Sequence, residues 1–430
     1  MSSRLIDSLE STGELAELFS DGSVLSAMLQ FETALARAQA TLGMIPPGAA
    51  ETIARVTAAD LDAAAIARGA RQSASVAIPF VKALTVRVEA IDPAAATYVH
   101  WGTTSQDVLD TSLVLLLRRA RQVLSADAAR LEHALRTLSE HHAGTVMLAR
   151  TVLQPAPPTT FGYKAAAWYG AVHRSWRRLS QSFDEALQVQ LGGAAGTLAA
   201  YQDRGPALAA TLAKQLDLGV PDAPWGAHRD RLAAVLVHCG IYTGSLAKIA
   251  RDVALLMQAE VGEVAEPGGD SSAMPHKRNP AGSVVALAAA VRVPGMVASY
   301  LSGMVQEHER AAGGWQAEWP AVAGIIQATG SALAAVAEAI AGLTVNPDRM
   351  RANLDAARGA VFAEKAAMLL APKLGRAAAQ ALVADALKGP HLRDGLTGLP
   401  AGQLEKIDEP EDYLGATEVF RRRLLESQDS

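Results

Sequence analysis

Leu117, Leu124, Leu131 and Leu138 recur at intervals of seven, with Ala120, Ala128 and Leu135 between them. An apolar repeat of that period, sustained over four turns or more, predicts a long helix with a packed seam. Asp110 and Thr111 stand near its start and Gly144 stops it. A second helical segment is expected from about Asp230 to Glu263, with Leu232, Leu236, Cys239, Leu246, Val253 and Met257 near one face. A third follows Asn279-Pro280 and runs to about His308, with Pro294-Gly295 as a kink. A fourth covers Pro320 to Leu343. Helices of about 25–35 residues span about 40–50 Å. Several of them in one chain predict an elongated bundle that packs against other subunits.

The pattern is helical almost throughout, and its breaks are informative. Pro155-Ala156-Pro157-Pro158 interrupts the middle of the chain, Gly192-Gly193-Ala194-Ala195-Gly196 forms a small-residue loop, and a longer loop runs from Glu266 to Asn279-Pro280. Asn346-Pro347 closes the long-helix region, and shorter helices follow. The expected division is an N-terminal helical domain at 1–99, a central long-helix bundle at 100–344 and a C-terminal helical domain at 345–430.

Half of the 430 residues are apolar but only 5% are aromatic, which favours close helix packing around Ala over a β-sandwich. Lys and Arg number 39 against 44 Asp and Glu, for a net charge of −5. A dedicated nucleic-acid binder would carry a basic stripe, so none is expected. One cysteine, Cys239, leaves no intramolecular disulfide and no cysteine-cluster metal site. The first 30 residues interleave charges with apolar positions, without the apolar run of a signal peptide. The stretch Val322–Val345 is mostly Ala and Gly and carries Gln327 and Glu338, so a buried helix is expected in place of a membrane span. A cytoplasmic enzyme is the resulting expectation.

The ten histidines form no H-E-x-x-H pair, and no phosphate-binding P-loop is present. Gly192-Gly193-x-x-Gly196 has no preceding strand and reads as a tight turn between helices. Gly269-Asp270-Ser271-Ser272-Ala273 lacks the second glycine and the strand of a nucleophile elbow. No metal or cofactor is called for. Ser271-Ser272-Ala273-Met274-Pro275-His276-Lys277-Arg278-Asn279-Pro280 is different in kind. It packs hydroxyls, a cation pair and an amide into ten residues behind two glycines. Such a loop suits an anionic substrate, with a hydroxyl for proton transfer and Lys277 and Asn279 for a developing oxyanion.

That segment resembles the mobile signature loop of the fumarase/aspartase/argininosuccinate lyase superfamily, with Asp270 standing where the family usually has Gly. Two further stretches are similar to the other superfamily blocks, in the same order: Tyr98 to Thr111, containing His100-Trp101-Gly102-Thr103-Thr104-Ser105-Gln106-Asp107, and Arg150 to Thr160. The resemblance covers roughly residues 10–370. It implies an all-α, three-domain fumarase/aspartase-like fold with a central long-helix bundle, and a homotetramer with shared active sites, each assembled from three subunits. It also implies proton transfer at the carbon next to a carboxylate through an aci-carboxylate dianion.

Within the superfamily the chain resembles the cycloisomerase branch, whose members close a lactone on a tricarboxylate diene. The wording around His100-Trp101-Gly102 is one sign. Val305-Gln306-Glu307-His308-Glu309-Arg310 followed by Gly313-Gly314-Trp315-x-Ala317-Glu318-Trp319 is another. The third is Thr151-Val152-Leu153-Gln154, where lyases commonly have a histidine at the second position. Gln72-Ser73-Ala74-Ser75-Val76, loosely aligned, lacks the His-Asp pair of adenylosuccinate lyases. An adenylosuccinate-type or other carboxylate lyase and a non-catalytic, crystallin-like helical protein remain the alternatives. The resemblance assigns catalysis to Ser271, Lys277 and His100. It assigns binding of a small tricarboxylate to Thr104, Ser105, Gln154, Ser272, Met274, Asn279, Arg310 and Trp315, with His276 and Arg229 as weaker candidates.

Overall fold

The computed structural model describes residues 5–426. Six helices exceed twenty residues among them: α1 (Asp21–Thr41), α2 (Ser105–His141), α3 (Phe161–Ala186), α4 (Asp230–Leu256), α5 (Ala281–Ser302) and α6 (Gly314–Ala341). Two short antiparallel pairs are the extended elements: β1 (Val146–Thr151) with β2 (Gln154–Thr160), and β3 (Val264–Ala265) with β4 (Thr344–Val345). The four predicted long helices are all present, and the heptad leucines of α2 are buried.

Their ends differ from the sequence reading for identifiable reasons. Helix α2 begins five residues before Asp110, because Thr104 caps it: its carbonyl accepts from the Asp107 N–H at 3.0 Å and its N–H donates to the Asp107 carboxylate at 3.1 Å. Helix α4 ends at Leu256 and not at Glu263. Gly262 adopts φ +61°, and the Glu263 N–H turns back to the Leu256 carbonyl at 2.9 Å. Helix α5 stops at Ser302, where Gly303 meets Gly314 so closely that a Cβ on Gly314 would lie 2.9 Å from the Gly303 carbonyl oxygen. Helix α6 starts at Gly314, six residues before Pro320, with the Gln316 side chain accepting from the Gly313 N–H.

The Pro155–Pro158 break is a strand. Residues Val146 to Thr151 pair with Thr160 to Gln154, with an irregularity between Leu148 and Ala149. A two-stranded hairpin has two open edges, so prolines that would interrupt a central strand are accommodated.

The chain divides into two compact units. The first comprises Met1–Ala128, Ser175–Gly244 and Ala288–Ala334; the second comprises Ala129–Arg174, Ser245–Leu287 and Ala335–Ser430. The core of the first gathers Met28, Phe31 and Leu35 of α1 with Phe80, Leu84, Val108, Leu115 and Leu212. The core of the second gathers Val146 and Leu148 of the hairpin with Phe362, Leu370, Val383, Leu392 and Ile407. Helices α4, α5 and α6 are each long and apolar enough, by length and composition, to cross a membrane. Within the chain, α5 is the least covered of the three, and Val284 and Val291 stand exposed on it.

Candidate active site

In the first unit, the segment before α2 is held in an unusual backbone shape. His100 and Gly102 both have positive φ, at 56° and 72°. Only glycine fits at 102, since a Cβ there would sit 2.7 Å from the Tyr201 ring. The Trp101 carbonyl between them accepts from the Tyr201 hydroxyl at 2.6 Å and from Gln39 Nε2 at 2.8 Å. His100 Nδ1 lies 2.6 Å from the Glu32 carboxylate. Burial works against the charged imidazole, but the Glu32 charge and hydrogen bond, with Asp107 adding, outweigh it and raise the His100 pKa above the usual histidine value.

Asp107 ties this segment to the glycine loop. One carboxylate oxygen accepts from the Gly192 N–H at 2.8 Å and Gln190 Nε2 at 3.2 Å. The other accepts from the N–H groups of Gly193 and Thr104 and from the Thr103 hydroxyl. Burial pushes the Asp107 carboxyl up, and these donors oppose that shift. The Gly192–Gly196 turn is therefore an anchor for the start of α2, with two of its amides on a carboxylate of its own chain.

Behind it lies a buried charge cluster. Arg229 bonds Asp110 at 2.8 and 3.1 Å and Glu318 at 2.6 to 3.1 Å, and none of the three side chains is more than 1% exposed. Burial and the Asp110 charge raise the Glu318 carboxyl, while Arg229 opposes them. Trp315 donates its Nε1–H to Asp110 at 3.0 Å, and Gln306 donates to Glu318 at 2.8 Å. Gln106 donates to Asp110 and accepts from Arg310 Nε at 3.2 Å. Arg310 also reaches the Ala194 carbonyl. With Gln106, Gly193, His228 and His308 it lines a cavity of 210 Å³.

In the second unit, Thr151 pairs with Gln154 across a two-residue turn of Val152 and Leu153. Both turn residues have positive φ, 53° and 63°, and both are exposed. Such turns favour Asn-Gly, and a β-branched residue in this conformation is an outlier. The hairpin is braced two residues earlier, where Arg150 makes a two-pronged contact with buried Glu263 at 2.6 and 2.9 Å. Asn353 donates to the same carboxylate.

The signature loop is closed at its neck. The Asn279 N–H donates to the Gly269 carbonyl at 2.7 Å, and Gly269, at φ +76°, would meet Asn279 backbone with any Cβ. Asp270 and Arg278 bridge as backbone partners and as an ion pair. Inside the neck, Ser271 Oγ accepts from the Met274 N–H at 3.2 Å, and Ser272, Met274, His276 and Lys277 are exposed. Glu266, buried at the loop's base, accepts from the N–H groups of Gly282 and Ser283 and from the Ser283 hydroxyl, which fixes the loop to the start of α5.

Residues 10–295 match the model of a lyase family. The chain belongs to this lyase family. It is 43% identical to a 3-carboxy-cis,cis-muconate cycloisomerase of Bradyrhizobium diazoefficiens, over 99% of this chain and 98% of that one. It is 42% identical to a nitrosuccinate lyase of Streptomyces davaonensis, over 92% and 89% of the two chains. The crystal structure of a 3-carboxy-cis,cis-muconate lactonizing enzyme from Pseudomonas putida superposes with a TM-score of 0.93 at 39% identity, covering 98% of both chains. The fold is accordingly the all-α fumarase/aspartase fold of these lyases.

Of the residues picked from the sequence, the first unit holds His100, Thr104, Ser105, Arg229, Arg310 and Trp315, and the second holds Gln154, Ser271, Ser272, Met274, His276, Lys277 and Asn279. Sequence reasoning did not single out Glu32, Asp107, Asp110, Glu263, Glu266 or Glu318 as functional. A signal existed for some: Glu32 is the lone charge in the largely apolar stretch Met28 to Ala36, and Asp107 and Asp110 are three apart on one helical face. Among the described residues, no group of three His, Cys, Asp or Glu is placed to hold a metal ion.

Proposed function

We propose that the chain is a 3-carboxy-cis,cis-muconate cycloisomerase of the protocatechuate branch of the β-ketoadipate pathway, which degrades aromatic compounds. One substrate carboxylate adds to the diene and closes the γ-lactone ring. The electron pair it displaces collects as an aci-carboxylate on a neighbouring carboxyl group, and a proton delivered to the α-carbon completes an isomerisation with no atom lost. The nucleophile is ionised near neutral pH, since carboxyl groups titrate near 4. It therefore needs positioning more than a base.

The observation that carries this reading is the likeness, along nearly the whole chain, to a protein of that name at 43% identity and to a 3-carboxy-cis,cis-muconate lactonizing enzyme at 39%. It is supported by the apolar, exposed Val152 at the hairpin tip, where lyases of the superfamily commonly use a histidine to help a leaving group depart. Ser271 delivers the α-proton, Lys277 and Asn279 stabilise the dianion, and His100, Thr104, Ser105, Gln154, Ser272, Met274 and Arg310 hold the three carboxylates and the ring. Trp315 contributes its ring face, its N–H being engaged by Asp110. No cofactor is assigned.

The protein works as a cytoplasmic homotetramer of three-domain subunits divided near residues 99 and 344. The first block, the hairpin and the signature loop come to each site from three different subunits. The uncovered apolar surface of α5, including Val284 and Val291, supports an interface there. The similarity to nitrosuccinate lyase favours a second reading, elimination from a substituted succinate. Purified protein offered 3-carboxy-cis,cis-muconate and nitrosuccinate in parallel separates the two. The cycloisomerase reading requires loss of the diene absorbance with the first substrate and no unsaturated dicarboxylate released from the second.

A further inference from the structure

Glu32 sits in the middle of α1 among Met28, Phe31, Leu35 and Ala36, and is 2% exposed. A carboxylate taken from water into such surroundings is costly unless it is paired. Its hydrogen-bond partner among the described residues is His100, 68 positions along the chain, at 2.6 Å. The partner is equally constrained. His100 has φ 56°, and the next carbonyl is clamped by Tyr201 and Gln39. A backbone shape that costs of order 1–3 kcal/mol persists only where its surroundings over-determine it. The other charged group facing His100 is Asp107, also an acid. The Tyr201 phenol is pushed well above its usual value by burial and by the charges of Asp107 and Glu32, so it adds no charge near neutral pH.

We propose that Glu32 is a positioning residue for His100: its carboxylate fixes the ring through Nδ1 and holds it as an imidazolium, so that His100 meets substrate as a cationic donor and not as a base. This rests on the cycloisomerase reading, whose substrate brings three negative charges to the site. It explains why a protein that binds a trianion would keep a buried carboxylate beside its site. The carboxylate fixes the protonation state of the group that does the binding, and it takes up the Nδ1 side of that ring.

The test uses Glu32→Gln and the milder Glu32→Asp, each compared with His100→Gln and with the double variant. His100 is titrated by NMR in ring-labelled protein, its resonance identified by its loss in His100→Gln. In the wild type it titrates above the ordinary value of about 6.5. In Glu32→Gln, burial remains and the charge is gone, so it titrates below that value, with Glu32→Asp between. The KM for 3-carboxy-cis,cis-muconate rises about 10–100-fold in Glu32→Gln, the range for losing a charged hydrogen bond. The alkaline limb of kcat/KM moves to lower pH. The Glu32 effect disappears in the His100→Gln background, as required of a residue that acts through another. An unchanged His100 titration in both Glu32 variants, or a loss undiminished without His100, overturns the proposal. Should the wild type fail to turn over this substrate, the functional reading fails, and the titration still decides whether Glu32 sets the charge of His100.

Discussion

Glu266→Gln separates a carboxylate that anchors the signature loop from one that is merely buried near it. One Glu266 oxygen accepts from the Ser283 N–H at 3.1 Å and from its hydroxyl; the other accepts from the Gly282 N–H at 2.9 Å. Gln has nearly the same shape, but its NH₂ must occupy one of these two positions. Either choice turns a donor toward a backbone N–H, and those N–H groups open α5, where a helix leaves its amides without internal partners. Losing one charge-assisted bond costs about 1.5–3 kcal/mol. Removing a negative charge from a helix N-terminus costs a further ~0.3–1 kcal/mol. The sum, about 2–4 kcal/mol, is local to the base of the loop. At ~1.4 kcal/mol per factor of ten, hydrogen exchange at the Gly282 and Ser283 amides should accelerate about 30-fold or more, while the amides of Leu370 and Val383 in the C-terminal core keep their wild-type protection. Turnover should fall with it, because Ser271 and Lys277 depend on the same anchor. Exchange at Gly282 and Ser283 within about threefold of wild type would show that Glu266 does not anchor the loop.

Ser271→Ala should lower turnover by about 10²–10⁴-fold, the usual cost of removing a positioned proton-transfer group, with the circular dichroism spectrum unchanged; near-normal turnover would move the role to another residue. Arg229→Met should destabilise the fold by about 3–5 kcal/mol in urea unfolding, since it strands Asp110 and Glu318 as buried carboxylates without their cation. Arg229→Lys should rescue little of that, because one ammonium cannot reproduce a fork that serves two carboxylates. The contact of Glu32 with His100 also has a pH signature. The folded His100 pKa lies above the unfolded one, so the stabilisation is complete below about pH 6.5 and is lost as pH rises through the folded value. The stability gap between wild type and Glu32→Gln should therefore narrow on the alkaline side.

The long helices were legible because their signal is local: the leucines at 117, 124, 131 and 138 repeat in sequence and are buried in the structure. Their ends were less so: the Thr104-x-x-Asp107 cap and the turn at Gly262 are local signals outweighed by the apolar pattern, and only the stop at Gly303 depends on a contact, with Gly314, that the folded chain creates. The hairpin was missed because three prolines in Pro155 to Pro158 read as a break, when an edge strand tolerates them. The catalytic candidates came from motif resemblance. The carboxylates that hold them did not, since Glu32 to His100, Asp107 to Gly192 and Arg229 to Glu318 each join positions 68 to 89 residues apart. No periodicity encodes such pairs. The glycine turn at 192–196 was read correctly as a turn between helices, but its use as a donor pair for Asp107 is a property of the assembled site.

In this protein a trianionic diene is to be cyclised with nothing eliminated. That cyclisation is tested most directly by following the ultraviolet absorbance of 3-carboxy-cis,cis-muconate in the presence of the purified protein, with NMR identification of the product. The expected result is loss of the diene chromophore, a single product isomeric with the substrate that carries a γ-lactone, and abolition of the change in Ser271→Ala. A diene left untouched by protein that does release an unsaturated dicarboxylate from nitrosuccinate would contradict it.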